Sequence, residues 1–471
     1  MRSMTGERIL EHNPDLLLAA ASTTKLVPCA AALALLGPDF RFQTQVVRTG
    51  TLEDGTLRGD LILVASGDPN LSQRVAADGR LRFVDDDHTY AGFARGAAAV
   101  PGDPLETLTQ IASQVHAAGI ARIEGAVIVE EGLFRERLDE FVGPFSAACV
   151  NDGQIDVLAA PGAATGDPPR VEWHPTHPSI RLENRATTSD PNLQSEPDLS
   201  VEPAGGWGGF RIVGSIPLGA KPALAKGQFQ NPGLAAAHLF DATIRSAGIV
   251  VRDEPRVEAM GVDRFAQAPE VARYVSPPLS EAVKVILKVS HNLHATMLLP
   301  LLGALRGKGG DRAAGYRAIE QLFQAERLPL AGVSLRTGSG GGRADAMTAR
   351  FLVQLLSWAA RRPEFPHFLA ALPEGGVDGT LAARFRAPRF QKRVRAKTGT
   401  LVYQSAIPDR WIYLSKALAG YIDIGPEGET RWAAFAILLA NTQAVDRPAG
   451  ADALFRTQEE ILAAVLDDFG L

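Results

Sequence analysis

Residues 22–36 are rich in Ala and Leu, run for their last eleven positions without a charge, and stop at Gly37-Pro38. So uniformly apolar a segment forms a helix buried on every side, and a glycine followed by a proline is the expected stop. A buried helix needs a complete shell, yet the pattern that follows it changes period at once. Residues 44–47, 56–65 and 126–129 read as strands broken at Asp54-Gly55 and Gly67-Asp68-Pro69, with one helical pattern at 105–118. Residues 154–233 are rich in Pro, Gly and Thr, carry short apolar bursts at 155–158 and 210–213, and lack a helical period. Helical patterns return at 234–247, 280–288, 293–305 and 348–360, followed by strands at 394–398, 418–422 and 433–439 and a last helix at 457–469. Residues 1–7 read as a strand running into a turn. The shell of the N-terminal helix is therefore drawn from the far end of the chain. This predicts an α+β domain with helices outside its sheet, split by insertions. At roughly 150 residues per domain, 471 residues make three: 1–45 with 272–471, an α/β insertion at 46–153 with 234–271, and a β-rich insertion at 154–233.

Composition removes several classes. Cys29 and Cys149 are the only cysteines, too few for a disulfide framework or a four-thiolate zinc site. The histidines at 174, 177, 291 and 294 have no companion thiolate or His-Glu spacing, so no metal is expected, and no cofactor motif is present. No stretch approaches the ~18–20 apolar residues of a membrane span. Residues 26–36 are not a signal core either, because Glu7, Glu11 and Asp15 stand ahead of them against Arg2, Arg8 and Lys25. No signal peptide is expected in this sequence. The formal net charge of −5 argues against a polyanion binder. A basic run, Arg384, Arg386, Arg389, Lys392, Arg393, Arg395 and Lys397, interleaves with Phe385 and Phe390; it reads as a solvated face, and no nucleic-acid partner is expected.

Three short patterns carry chemistry. Ser22-Thr23-Thr24-Lys25 puts a hydroxyl and an amine on one face of a predicted helix, one turn apart. A serine is a weak nucleophile until a base takes its proton, and a lysine amine serves when burial favours its neutral form. Ser290-His291-Asn292 lies at the turn between two predicted helices. Lys397-Thr398-Gly399-Thr400 ends a predicted strand, where Gly399 lets a ligand approach the backbone. Each pattern, alone, also reads as an ordinary cap or strand end. Each occurs once in the chain, in the order Ser-x-x-Lys, Ser-x-Asn, Lys-Thr-Gly.

That order resembles the penicillin-recognising serine enzymes. The stretches Ala21-Ser22-Thr23-Thr24-Lys25-Leu26, Leu36-Gly37-Pro38-Asp39-Phe40-Arg41-Phe42, Gly59-Asp60-Leu61, Gly376-Val377-Asp378-Gly379-Thr380-Leu381 and Ala419-Gly420-Tyr421 narrow it. The chain resembles, over nearly its whole length, the D-alanyl-D-alanine carboxypeptidase/endopeptidase family of low-molecular-mass (class C) penicillin-binding proteins. The resemblance implies a penicillin-binding transpeptidase-like (β-lactamase-like) domain, with an antiparallel sheet flanked by helices and split by two inserted domains. It implies an acyl-enzyme serine peptidase acting on D-alanyl-D-alanine in peptidoglycan muropeptides, with β-lactam antibiotics as covalent inhibitors. It also implies a periplasmic or extracytoplasmic site of action. Carried onto this sequence, Ser22 is the nucleophile, Lys25 its base, Ser290 a proton shuttle and Asn292 a holder of the substrate amide. Lys397 and Thr398 bind the terminal carboxylate, with Gly399 between Thr398 and Thr400, and the N–H groups of Ser22 and Thr400 form the oxyanion hole.

Other readings share the motifs: a β-lactamase, a D-amino-acid amidase or esterase, or an idle wall-binding module. Several positions depart from the family pattern. His291 stands where a small acidic or amide residue is usual, and Thr337 where an aspartate is usual. Pro28 is expected to remove a helix bond at the Thr24 carbonyl and kink the helix near Ser22. Residues 402–416 are expected as either a surface loop or a feature reshaping the mouth of the site.

Overall fold

The structure, a computed structural model, describes residues 1–4, 6–72, 75–89, 98–342 and 344–471. Its α-helices in chain order, among the described residues, are α1 (Leu26–Leu36), α2 (Glu106–Ala117), α3 (Pro232–Ser246), α4 (Leu279–Lys288), α5 (Asn292–Arg306), α6 (Arg312–Ala325), α7 (Ala349–Ala359), α8 (Phe365–Ala371) and α9 (Arg447–Asp468). The chain divides into two compact units, one of Met1–Phe40, Leu279–Lys308 and Arg312–Leu471, the other of Arg41–Pro278 with Gly309–Asp311.

In the first unit an antiparallel sheet runs in the order Arg2–Ser3, Trp432–Leu439, Asp409–Asp423, Val394–Ala406, with Thr442–Ala444 added to the Asp409–Asp423 strand. Thr5, in the turn expected after the first strand, lies outside the described residues. Side chains alternate across this sheet. Val394, Ala396, Leu418 and Ile422 enter a core with Phe385, Phe390, Leu462 and Leu466, the last two from α9. On the opposite face, Tyr421 donates to the Leu356 carbonyl of α7 at 2.8 Å. The helix α1 is buried nearly throughout, as its composition demands, and packs against α4, α5, α6 and α8. Leu279 N donates to Phe40 O at 2.7 Å, so the points where the chain leaves and re-enters this unit are bonded together.

Four expectations change. Pro28 breaks no bond of α1, because the α-helix begins at Leu26 and Pro28 falls in its first turn, where N–H groups have no intrahelical acceptor. Residues 402–416 are not a surface loop: the strands Val394–Ala406 and Asp409–Asp423 pair to their ends, with one register shift between Leu401 and Val402, forming a long hairpin. Val402, Tyr403, Trp411, Ile412 and Tyr413 supply the β-branched and aromatic side chains that favour it. The last helix starts at Arg447 rather than 457, because Asp446 caps it by accepting from Ala449 N at 2.7 Å. The helix α6 has no counterpart in the sequence reading. Its buried face, Ala314, Ala318, Ile319 and Phe323, is thinly apolar and interrupted by Gly315.

The second unit contains a mixed sheet ordered Arg256–Glu258, Val127–Glu130, Leu61–Val64, Arg41–Arg48, Glu270–Pro278. It also holds a β-rich part without α-helix among the described residues from 154 to 231, in which the bursts at 155–158 and 210–213 lie within Gln154–Ala160 and Gly209–Pro217. Buried His88 is gripped there between Asp152 (2.6 Å) and Asp156 (2.8 Å). Burial alone would push its pKa down, but the two carboxylates more than reverse this and the net shift is upward. A raised folded-state pKa gives stability that is full below the unfolded value and lost as pH rises through the folded one. The parent should therefore lose stability relative to His88→Gln as pH is raised from about 6 to 8, measured by denaturant unfolding. Parallel pH profiles for the two proteins would contradict this.

Candidate active site

The Ser-x-x-Lys motif sits on a 3-10 turn, Ala21–Lys25, that leads into α1, rather than on the α-helix expected. In 3-10 geometry residues three apart eclipse, and Lys25 Nζ lies 2.9 Å from Ser22 Oγ. Ala21, just before Ser22, has φ +46°, and Ser290 has φ +65°. Left-handed backbone at non-glycine residues costs about 1–3 kcal/mol and persists only where the surroundings impose it. Both strained residues adjoin or carry hydroxyls of the sequence motifs.

Lys25 is fully buried and joins three segments. Its Nζ lies 2.7 Å from Asn292 Oδ1, at the start of α5, and 2.7 Å from the carbonyl of Ser339. The Ser339 loop is built by a buried carboxylate: Asp345 accepts from Arg336 N (2.6 Å), Thr337 N (3.0 Å) and Thr337 Oγ1 (2.5 Å), and Thr337 Oγ1 accepts from Gly340 N (2.9 Å). Thr337 thus reaches its carboxylate eight residues downstream. Gly340 has φ +81°, and a Cβ there would lie 1.9 Å from the Ala21 carbonyl, so only glycine fits. His291 caps α5, its Nδ1 accepting from His294 N at 3.4 Å.

Lys397 is also fully buried, and its Nζ donates to Ser290 Oγ and to the Thr398 carbonyl, both at 2.8 Å. Lys397 and Gly399 face the 3-10 turn: a Cβ on Gly399 would lie 3.0 Å from Ala20 O and 3.1 Å from Ser22 N. Thr398 and Thr400 face the other way. Thr398 Oγ1 donates to Thr380 Oγ1 at 2.9 Å. The structure thus brings Ser22, Lys25 and Asn292 into one bonded cluster, joins Ser290 to Lys397, and lays Gly399 against the Ala21–Lys25 turn, with Thr398 and Thr400 on the strand's other face.

Sequence reasoning missed the supports: Ser339, Asp345, Thr380 and the pair Lys288–Asp378. Thr380 and Asp378 lie in the Gly376–Leu381 stretch that carried the family resemblance, which was their only signal. Lys288, at the end of α4, donates to Asp378 Oδ1 at 2.7 Å and Oδ2 at 2.6 Å. Burial pushes the Lys288 pKa down and Asp378 opposes the shift. The basic run is largely occupied within this unit: Arg384 pairs with Asp452 at 2.6 Å, Arg395 with Glu374 at 2.7 Å and Arg389 with Asp467.

The profile of the D-Ala-D-Ala carboxypeptidase 3 (S13) family matches residues 2–461. The chain belongs to that family. It is a serine-type D-Ala-D-Ala carboxypeptidase by membership. It is 30% identical to the D-alanyl-D-alanine carboxypeptidase of Actinomadura sp. (strain R39), over 90% of this chain and 74% of the relative. The fold is that of penicillin binding protein 4 from Haemophilus influenzae, with a TM-score of 0.73, 20% identity, and coverage of 94% of this chain and 90% of that one. A predatory endopeptidase from Bdellovibrio bacteriovorus, solved acylated by penicillin G, is similar at a TM-score of 0.51 and 14% identity, over 99% of this chain and 91% of its own. Among the described residues no helix is long and apolar enough to cross a membrane.

Removing one partner of the Lys288–Asp378 pair leaves a buried ammonium unpaired. Asp378→Asn should cost on the order of 2 kcal/mol, read by denaturant unfolding, and should loosen Thr380 against Thr398. A change below about 0.5 kcal/mol would show that the pair holds nothing.

Proposed function

We propose that this chain hydrolyses D-alanyl-D-alanine peptides of cell-wall muropeptides through an acyl-enzyme on Ser22, and that β-lactams acylate the same hydroxyl. The observation that carries the reading is the partner set of Lys25. A neutral amine has two N–H donors and one lone pair. Lys25 Nζ donates to Asn292 Oδ1, the Ser339 carbonyl and Ser22 Oγ; once it has lost one proton, two N–H groups still serve the first two oxygens and the lone pair is left for the Ser22 hydroxyl proton.

Ser22 Oγ attacks the carbonyl carbon of the penultimate D-alanine while its proton passes to Lys25. The N–H groups of Ser22 and Thr400 stabilise the oxyanion; losing one such donor typically costs about 2.7–4 kcal/mol. An ammonium has only donors, so Ser290 Oγ, accepting from Lys397, keeps its own O–H for the leaving amine. Ser290 passes that proton to the leaving nitrogen as the C–N bond breaks and takes in its place the proton Lys25 received from Ser22, so D-alanine leaves as the amine. Lys25 then takes a proton from the water that attacks the ester and returns it to Ser22 Oγ as the acid is released. Asn292 holds the substrate amide, and Lys397 with Thr398 binds the terminal carboxylate. Residues 1–45 with 272–471 act as the catalytic domain, and 46–153 with 234–271 and 154–233 as two inserted domains. The substrate lies outside the cytoplasmic membrane, so the enzyme acts there.

Release of D-alanine from an acylated D-alanyl-D-alanine peptide tests the reading. Lys25→Met should lower kcat by about 10²–10⁴, and Ser22→Ala should abolish turnover. A parent that releases no D-alanine, or a Lys25→Met variant as active as the parent, would refute it.

A further inference from the structure

A cavity of about 300 Å³ lies in the first unit and has no part in the steps above. The helix α6 contributes Tyr316, Ile319, Glu320 and Phe323 to its lining, and the segment after that helix contributes Leu330, Val333 and Leu335. Val27 of α1 and Phe351 of α7, both 1% exposed, complete it. The depth of the cavity is therefore apolar. Its volume is at the lower end of the roughly 300–1,000 Å³ of ligand sites, and about twice the ~150 Å³ that suffices for benzene.

Two polar side chains decide what fits. The Tyr316 hydroxyl is already committed, donating to the Thr337 carbonyl at 2.7 Å. Burial pushes its pKa far up, with Asp345 adding to the shift and Arg312 opposing it, so it stays a donor. Glu320 is exposed, which puts its carboxylate at the mouth. Among the described residues it is the one charge in the lining. An apolar chamber with a carboxylate at its mouth suits a small molecule with an apolar ring and a cationic head, and disfavours an anion of the same size.

The lining also reaches the loop that holds Lys25. Leu335 precedes Thr337 by two residues, Thr337 accepts from Tyr316, and Ser339 gives its carbonyl to Lys25 at 2.7 Å. A ligand packed against Leu335 and Tyr316 adds dispersion contacts to both and restrains this loop. With its N–H groups held on Asn292 and Ser339, the neutral Lys25 amine keeps its lone pair aimed at Ser22.

We propose that this cavity binds small aryl-ammonium ions, with the ring between α6 and residues 330–335 and the cation on Glu320, and that binding, through Tyr316 and Thr337, tightens the Lys25–Ser339 contact and speeds acylation of Ser22. Binding stands on the cavity alone. The coupling rests on Ser22 being the acylated nucleophile.

The probe is benzyltrimethylammonium, which is not a nucleophile and cannot intercept an acyl-enzyme, with benzyl tert-butyl ether and phenylacetate as neutral and anionic counterparts. Calorimetric titration of the full chain should show one site for the cation, with both counterparts about tenfold weaker. Glu320→Gln should bring cation and ether to within about twofold of each other, and Val333→Trp, which fills the cavity, should abolish binding. Saturating cation should raise the second-order rate constant for acylation by benzylpenicillin, read by intact mass, about threefold in the parent. It should leave that constant unchanged in Tyr316→Phe, which keeps the cavity and loses the bond to Thr337. No binding to the parent, binding undiminished in Val333→Trp, or an undiminished cation preference in Glu320→Gln overturns the site; if Val333→Trp folds poorly, the exposed change Glu320→Gln decides. A parent whose acylation ignores the cation, or a Tyr316→Phe variant that responds as the parent does, overturns the coupling. A parent that binds the cation but forms no Ser22 adduct defeats the catalytic reading and leaves the site standing, so the two failures are distinguishable.

Discussion

Burying the Lys25 amine is the constraint from which the rest of the first unit follows. A lysine removed from water is tolerated only where its polar atoms are satisfied, and here the partners come from three places in the chain: the hydroxyl three residues before it, the first residue of α5, and the carbonyl of Ser339. The strain at Ala21, the glycine at 340 and the Asp345–Thr337 network all serve to bring those oxygens to one nitrogen. A chain that splits this unit across a long insertion must rejoin its halves accurately, and the hydrogen bond between Leu279 and Phe40 closes the gap at its neck.

A second device recurs. Lys397 on Ser290 and Lys416 on Thr400 each place an amine with N–H donors behind a hydroxyl, at 2.8 and 2.9 Å. A hydroxyl that accepts from behind must donate in front, so the direction of its proton is fixed before a ligand arrives. This is preorganisation in the electrostatic sense: donors already aimed where charge will sit cost no reorganisation during reaction.

Much of this was legible in the sequence, for identifiable reasons. Residues 22–36 read as a buried helix, of which 26–36 is the α-helix and the start a 3-10 turn, and the order of the three motifs led to the family. Helical periods elsewhere found the described α-helices other than α6 and α8, though not their ends, while many strands, such as Arg170–His174 and Glu270–Pro278, went unread. What stayed hidden is what depends on contacts between distant residues. Asp345 supplies a carboxylate from an unexpected position, Lys288 fixes a loop ninety residues away, and the segment at 402–416 becomes a hairpin because its two halves pair with each other. Pro28 was misread because the boundary between the 3-10 turn and α1 has no local signature, and that boundary decides whether a proline breaks a bond.

The central claim is that Lys25 activates Ser22 as an acylated nucleophile, and it is tested most directly by intact mass after incubation with benzylpenicillin, on the parent and on Ser22→Ala. The account predicts one drug per chain on the parent and none on the variant. An adduct of equal yield on Ser22→Ala, or no adduct and no drug hydrolysis on the parent, would contradict it.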